Sequence, residues 1–402
     1  MPRYPHISPS LVEIGGSVFS ALAHRLASHD GEVYPLHVGD TWLEPVEGCR
    51  MQDLTVEEHP GMHRYSPPHG IAPLLGAVAE RARARTRVPT GPDNVLIAAG
   101  ATGALGAVMG VILEPGDEVL VLAPYWPLIP GIVRCCRAVP VAVPFLGVAD
   151  SPESAVEIVR RHHTPRVVAL YLSTPSNPTG RVIPRAWVEA LVDWAARENL
   201  WVVTDEVYED YVYRGEHTYA RSLAPERTFS AHSFSKAFGM AGNRCGYVVG
   251  PERLMPELRK VGTHSFYSCP TASQLAATRA LDGRGDAWVA RIKPEYERLG
   301  RMAAERLDVA PPEGGTFLFL DVAQRLDARG LLGFLEDCVE RGLFVAPGTS
   351  FGPYPTHVRV CFTSAPPDVM ERGIETLASI LGRSRAPVRR DGPGTTSRGP
   401  AR

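Results

Sequence analysis

In "VVALYLSTPSNPTG", residues 167–180, six apolar or aromatic residues run without interruption into a turn of Ser, Thr, Pro and Asn. A membrane helix needs roughly 20 such residues. A run this short, bounded by turn residues, reads as a strand buried on both faces, which requires a sheet with helices on each side. The turn carries Asn177 between Pro175 and Pro178. A turn at the carboxyl end of a strand is where ligands bind in open α/β sheets, although Asn-Pro is also a common turn in its own right.

The same pattern extends in both directions. Between about Val95 and Gly250 the runs "VLIAAG", "EVLVLAP", "VPVAVP", "LWVVTDEVY", "TFSAHSFS" and "CGYVVG" alternate with helical segments. In "RAWVEALVDWAARENL", Trp187, Leu191 and Trp194 form an apolar stripe suited to packing on the sheet. After about residue 285 the strands thin out. Amphipathic helices follow, one with Leu331, Phe334, Leu335 and Cys338, another with Met370, Ile374, Leu377 and Leu381. The reading is an α/β protein with a large sheet unit over 45–284 and a smaller α+β unit over 285–383. Residues 1–44 form an arm and contribute to the small unit. The final 384–402, rich in Gly, Pro, Ser and Arg, has almost nothing to bury and is expected to be a disordered tail.

At 402 residues and 44% hydrophobic, the chain is long enough for a large core. Its formal charge of -2, from 42 basic and 44 acidic residues spread along the chain, predicts no attraction to nucleic acid or anionic membrane. The start, "MPRYPHISPS", lacks the features of a signal peptide, so a cytoplasmic protein is expected. Seven cysteines without CxxC spacing suggest neither a disulfide framework nor a zinc site, and Cys135 and Cys136 read as buried apolar filling. His162 and His163, in "HHTPR", are expected on a solvated surface helix, and no metal is implied.

Lysine is scarce: Lys236, Lys260 and Lys293 are the only three. Arginine substitutes for lysine as surface charge, but only lysine sheds its proton to become a nucleophilic amine. Lys236 lies in "SFSKAFGMAGNRCGY", residues 233–247, with Ser233 and Ser235 before it and Arg244 after it. Amine, hydroxyl and guanidinium around one turn suit a carbonyl beside a phosphate. In "IAAGATGALGAVMG", residues 97–110, a strand passes through a glycine turn into a helix whose free N–H groups at Ala101, Thr102 and Gly103 would hold an anion. Close helix packing would equally explain those glycines. In "VVTDEVYED", Asp205 ends an apolar strand with Tyr208 three residues on, and a carboxylate there needs a cation or caps the next turn.

Taken in this order, the motifs resemble the class I/II aminotransferases of the pyridoxal-phosphate fold-type I superfamily, over roughly residues 30–383. That resemblance implies a mostly parallel seven-stranded sheet sandwiched by helices. It also implies pyridoxal 5'-phosphate as cofactor, joined to Lys236 as a Schiff base. Ser233 and Arg244 would hold the phosphate, with Ala101 and Thr102 of "GATGAL" beside it. Asn177 and Tyr208 would meet the phenolic oxygen, Asp205 the pyridine nitrogen, and Trp126 of "LAPYWP" the face of the ring. Tyr65 of "HRYSPPHG" would reach the phosphate of a neighbouring subunit, so a homodimer with shared sites is implied. Arg359 of "HVRVCF" would bind the substrate's α-carboxylate, and Gly39 of "LHVGD" would line the substrate side.

Lys236, Asp205 and Tyr208 are thus the expected catalytic group. Amino acid and 2-oxo acid are the expected substrates, and transamination is the expected reaction. Elimination or cyclisation on an activated amino acid is the alternative that uses the same residues. A sensor domain of a transcription regulator is disfavoured, because fewer than 40 residues precede the domain. Trp42 and Leu43 beside "VGD" read as core or dimer contacts, and leave the substrate side chain undetermined.

Overall fold

The computed structural model describes residues 29–383 together with Ile14. The expected tail at 384–402 and most of the expected arm lie outside the described residues. Seven strands form the large sheet: β1 (Val95–Ala98), β2 (Glu118–Ala123), β3 (Val139–Pro144), β4 (Val167–Ser173), β5 (Trp201–Asp205), β6 (Thr228–Ser233) and β7 (Gly246–Val249). Their order is β1-β7-β6-β5-β4-β2-β3, with β7 antiparallel to both neighbours and every other pairing parallel.

Both faces of the central strands are covered, as the uninterrupted apolar runs require. Ala169 and Tyr171 of β4 pack toward the helices Gly100–Ile112 and Met255–Ser265, while Leu170 and Leu172 pack toward Pro152–Arg160 and Arg185–Arg197. Trp194 and Leu191 are buried there, and Trp187 sits edge-on to Phe145 at 6.0 Å. Strand β3 departs from the expectation. It is the sheet edge, and Val139 is exposed.

The small unit is a three-stranded antiparallel sheet, β8 (Phe317–Asp321), β10 (His357–Cys361) and β9 (Ala346–Pro347), with β10 central. Val358 and Val360 face a core built with Leu36, Phe334, Ile374 and Leu377. Strand alternation therefore turns Arg359 the other way, toward the large unit. The long helix Gly285–Arg306 joins the two cores. Trp288, Val289 and Ile292 pack into the large unit, and Leu299, Ala303 and Leu307 into the small one.

Two expectations fail for local reasons. Cys135 is exposed and Cys136 half-buried, because they close the last turn of the short helix Ile129–Cys135 rather than facing the core. His162 and His163 follow the helix Pro152–Arg160 instead of lying on it, and both are half-buried. The His162 ring lies 2.9 Å from the Ile158 carbonyl through Nδ1, and His163 stands edge-on to Trp194 at 5.6 Å.

Candidate active site

Sheet register brings the motifs together. In β4, β5 and β6 the residues Ser173, Asp205 and Ala231 are aligned neighbours, so the Asn177 turn, Asp205 and the Lys236 segment leave the sheet at one edge. Antiparallel β7 begins at that edge with Gly246 paired to Ala98, which adds Arg244 and the turn at Gly100. Four separate stretches of chain thus share one rim.

The rim opens into a cavity of about 290 Å³. Ala101, Thr102, Ser233, Ser235 and Arg244 line it together with Asp205, Tyr208, Asn177, Lys236 and Trp126, and Gly39 and Arg359 complete it. Tyr65 does not line it. That side chain is 87% exposed, with its ring 5.1 Å from that of Tyr267. Lys260 pairs with Glu257 at 2.8 Å on the surface, and Lys293 is half-buried away from the cavity, which leaves Lys236 as the lysine that lines it.

The corner formed by Gly100 and Arg244 is built from close backbone approach. Gly100 opens the helix Gly100–Ile112 at φ 72°, and a Cβ there would stand 2.7 Å from Nη2 of Arg244. Only glycine leaves room for the guanidinium beside the free N–H groups of the first helical turn. Arg244 itself adopts φ 50°, a conformation a non-glycine residue holds at some cost, and donates from Nη1 to the Ala241 carbonyl at 3.0 Å. Ser233 caps the short helix Phe234–Ala237, its hydroxyl accepting from the Ser235 N–H at 3.0 Å.

Asp205 is buried and accepts from the Tyr171 hydroxyl at 2.9 Å. Burial raises its carboxyl to about 6, against the opposing pull of the Tyr171 hydrogen bond. A cationic partner in the cavity would reverse that shift. Tyr208 is buried edge-on to Phe317 at 5.4 Å, and burial raises its hydroxyl above the ordinary value. Lys236 donates from Nζ to the Gly39 carbonyl, and burial lowers its ammonium, with Asp40 opposing. A Cβ on Gly39 would meet Phe317 at 2.9 Å, so this carbonyl reaches the amine only because the residue has no side chain.

Arg359 is locked in place. Nη1 donates to Asn177 Oδ1 at 2.9 Å and Nη2 to the His37 carbonyl at 2.6 Å, while the guanidinium stands 4.4 Å from the Phe317 ring centre and 4.8 Å from that of Phe351. Its Nε is buried without a hydrogen-bond partner. An aromatic-flanked guanidinium with an unused donor is suited to a carboxylate.

Several lining or supporting residues escaped sequence reading. Tyr171 looked like apolar filling, and the clue was its alignment with Val203, two residues before Asp205 and on the same sheet face. Phe351, Pro127 and Leu128 carry no chemical signature and reach the cavity only through tertiary packing. On the opposite sheet face, Glu206, Glu209 and His232 form a buried acidic cluster whose ligand-type atoms lie within 4.8 Å of one another, with Glu209 paired to Arg85 at 2.6 Å.

Residues 34–377 match the family described as Aminotransferase class I and II. A probable aspartate/prephenate aminotransferase of Thermus aquaticus is 34% identical, over 80% of this chain and 84% of that protein. An arginine–pyruvate transaminase of Pseudomonas aeruginosa is 33% identical, over 89% of this chain and 93% of its own. The structure of an aspartate aminotransferase from Thermus thermophilus with maleate superposes with a TM-score of 0.85 at 30% identity, covering 94% of this chain and all of that one. Coverage this broad takes in every motif on the cavity rim, and the chain belongs to the class I and II aminotransferases.

Proposed function

We propose that the cavity binds pyridoxal 5'-phosphate at Lys236 and moves an amino group between an L-α-amino acid and a 2-oxo acid. The observation that carries this reading is the convergence on one cavity of a half-buried amine, a buried carboxylate, an anion cradle and an aromatic-flanked guanidinium, each from a different stretch of chain. The chain's donor set fits the cofactor at both ends. Arg244, Ser233, Ser235 and the helix start at Ala101 and Thr102 suit a phosphate. Asp205, unpaired with any cation there and raised by burial, suits a protonated ring nitrogen.

When bound, pyridoxal phosphate supplies an electron sink conjugated to the substrate's Cα. The chain's residues decide how that sink is used. Arg359 clamps the α-carboxylate and so sets which Cα bond stands ready to break. Lys236 Nζ, with its proton affinity lowered by burial, serves as carbonyl nucleophile and as the base that takes the Cα proton. Asp205 would hold the proton on the ring nitrogen, Asn177 and Tyr208 would hydrogen-bond the phenolic oxygen, and Trp126 would offer an aromatic face to the ring. The exposed Tyr65 is assigned to the phosphate of a second subunit, which makes the working unit a homodimer with shared sites. Among the described residues no helix is long and apolar enough to cross a membrane, and the proposed setting is cytoplasmic amino-acid metabolism. The proposed units remain 45–284 and 285–383, linked through Gly285–Arg306.

The test is an absorbance titration of purified holoenzyme with single amino acids and no oxo acid. Stoichiometric conversion of the cofactor to its amino form, reversed by a 2-oxo acid, is expected. Continuous consumption of amino acid without conversion would instead establish the elimination or cyclisation reading. Lys236→Ala is expected to lose the covalently bound cofactor's absorbance, and retention of it would move the attachment elsewhere.

A further inference from the structure

A tyrosine inside the core reaches the carboxylate that the proposed reading assigns to the cofactor's ring nitrogen, and the inference drawn from it rests on that reading. Tyr171 is fully buried on β4, flanked in the sheet by Val121 of β2 and Val203 of β5. Close packing around the ring fixes where its hydroxyl stands. That hydroxyl donates to Asp205 Oδ2 at 2.9 Å, while Oδ1 accepts a longer bond, 3.4 Å, from the Val207 N–H. A carboxylate has about four acceptor positions, so both bonds leave room for a donor from the cavity that Asp205 lines.

Core packing alone does not account for this hydroxyl. Phenylalanine would fill the same apolar space with no polar group to bury. Two other tyrosines, Tyr211 and Tyr213, donate to backbone carbonyls, of Ala237 at 2.9 Å and Gly315 at 2.6 Å. Tyr171 instead spends its proton on a side chain of the site.

The consequence is electrostatic. A proton between a ring nitrogen and Asp205 rests on the stronger base, and a hydrogen bond to the charged carboxylate makes it the weaker one. Burial raises the Asp205 carboxyl to about 6, and the Tyr171 hydrogen bond is the largest influence opposing it. The Val207 N–H and His232 of β6 oppose it less, Glu206 reinforces it, and Tyr208 stands near enough to feel the charge. His232 is itself held by Glu209 at 2.9 Å.

We infer that Tyr171 is a positioning residue for amino transfer, whose hydroxyl holds Asp205 as a fixed carboxylate so that the proton stays on the cofactor's ring nitrogen.

The experiment uses holoenzyme carrying pyridoxal phosphate isotope-labelled at its ring nitrogen, whose NMR frequency reports protonation. In Asp205→Asn the resonance is expected at the unprotonated position. In Tyr171→Phe, which keeps the ring that fills the core, it is expected to move toward that position. The rate constant of the amino-acid half-reaction should fall about 10- to 100-fold with the half-saturating amino-acid concentration within about twofold, the scale of a lost hydrogen bond to a charged group. The double variant should match Asp205→Asn alone, because Tyr171 acts through that carboxylate. An unmoved resonance in folded Tyr171→Phe, or losses that add in the double variant, reduce the hydroxyl to a packing role and overturn the inference, with the transaminase reading intact. A resonance unmoved by Asp205→Asn refutes the assignment of Asp205 to the ring nitrogen, and the inference with it.

A second readout needs no cofactor. The folded carboxyl is raised from 3.8, so the stability its retained proton lends the apoprotein is lost as pH rises through about 6. Without the Tyr171 donor the carboxyl keeps its proton to higher pH, and in Tyr171→Phe the loss should extend upward in pH. A loss confined to the wild-type window overturns the inference.

Discussion

Replacing Gly100 with alanine probes the anion cradle without removing any polar group. The new Cβ would stand 2.7 Å from Arg244 Nη2 and 3.3 Å from its Cζ, and the backbone φ of 72° is one that alanine resists. Holding alanine in the left-handed region costs about 1–2 kcal/mol. The guanidinium must also retreat, and a hydrogen bond involving a charged group contributes about 1.5–3 kcal/mol. At 1.36 kcal/mol per factor of ten, losing one such bond weakens cofactor binding by about 10- to 150-fold.

Gly106 provides the control within the same helix. A Cβ there meets nothing within 4 Å, and no left-handed φ is involved. Gly106→Ala should therefore stabilise the protein by about 0.5–1 kcal/mol through helix propensity, with cofactor affinity unchanged. The assay is a pyridoxal-phosphate titration of both variants after removal of cofactor, paired with thermal unfolding of each apoprotein. A Gly100→Ala dissociation constant within twofold of wild type, with the control behaving as stated, would refute the placement of Arg244 as a phosphate ligand.

Asp205 makes a pH prediction for the cofactor-free protein. Its carboxyl is raised from 3.8 to about 6, so the folded state keeps a proton that the unfolded chain has released across that window. Apoprotein stability from this group therefore falls as pH rises through the window and is lost in full above it, by on the order of 3 kcal/mol. Asp205→Asn should lack that loss, and a wild-type-minus-variant stability difference that stays flat between pH 4 and about 7, the span over which a carboxyl raised this far titrates, argues against burial as the cause. Arg359→Lys replaces a two-pronged donor by a point charge, and should raise the amino-acid KM about 10- to 100-fold with cofactor affinity unchanged. Release of cofactor by that variant would reassign the guanidinium to the cofactor's own binding set.

The sheet was readable from the chain because strands buried on both faces must be apolar throughout, as Ala169 to Leu172 are on β4. The lysine that lines the cavity was readable because chemistry restricts residue type: an amine that is to lose its proton must be a lysine, and Lys236 stands out where lysines number three. Edge position was less legible, since Val139 on β3 has the composition of a central strand. Cys135 and His163 were misplaced because the phase of a short helix end depends on where the chain turns next.

Other features of the site came from folding alone. Tyr171 supports Asp205 only because two parallel strands align Tyr171 with Val203 and Ser173 with Asp205. Arg359 points at the cavity because its neighbours Val358 and Val360 are drawn into the small core. The cavity residues Pro127, Leu128 and Phe351 come from segments more than two hundred residues apart. Hydrophobic residues carry no mark of which surface they will face, so their place in the site is set by packing, whereas a titrating or charge-bearing residue declares its chemistry in the chain itself.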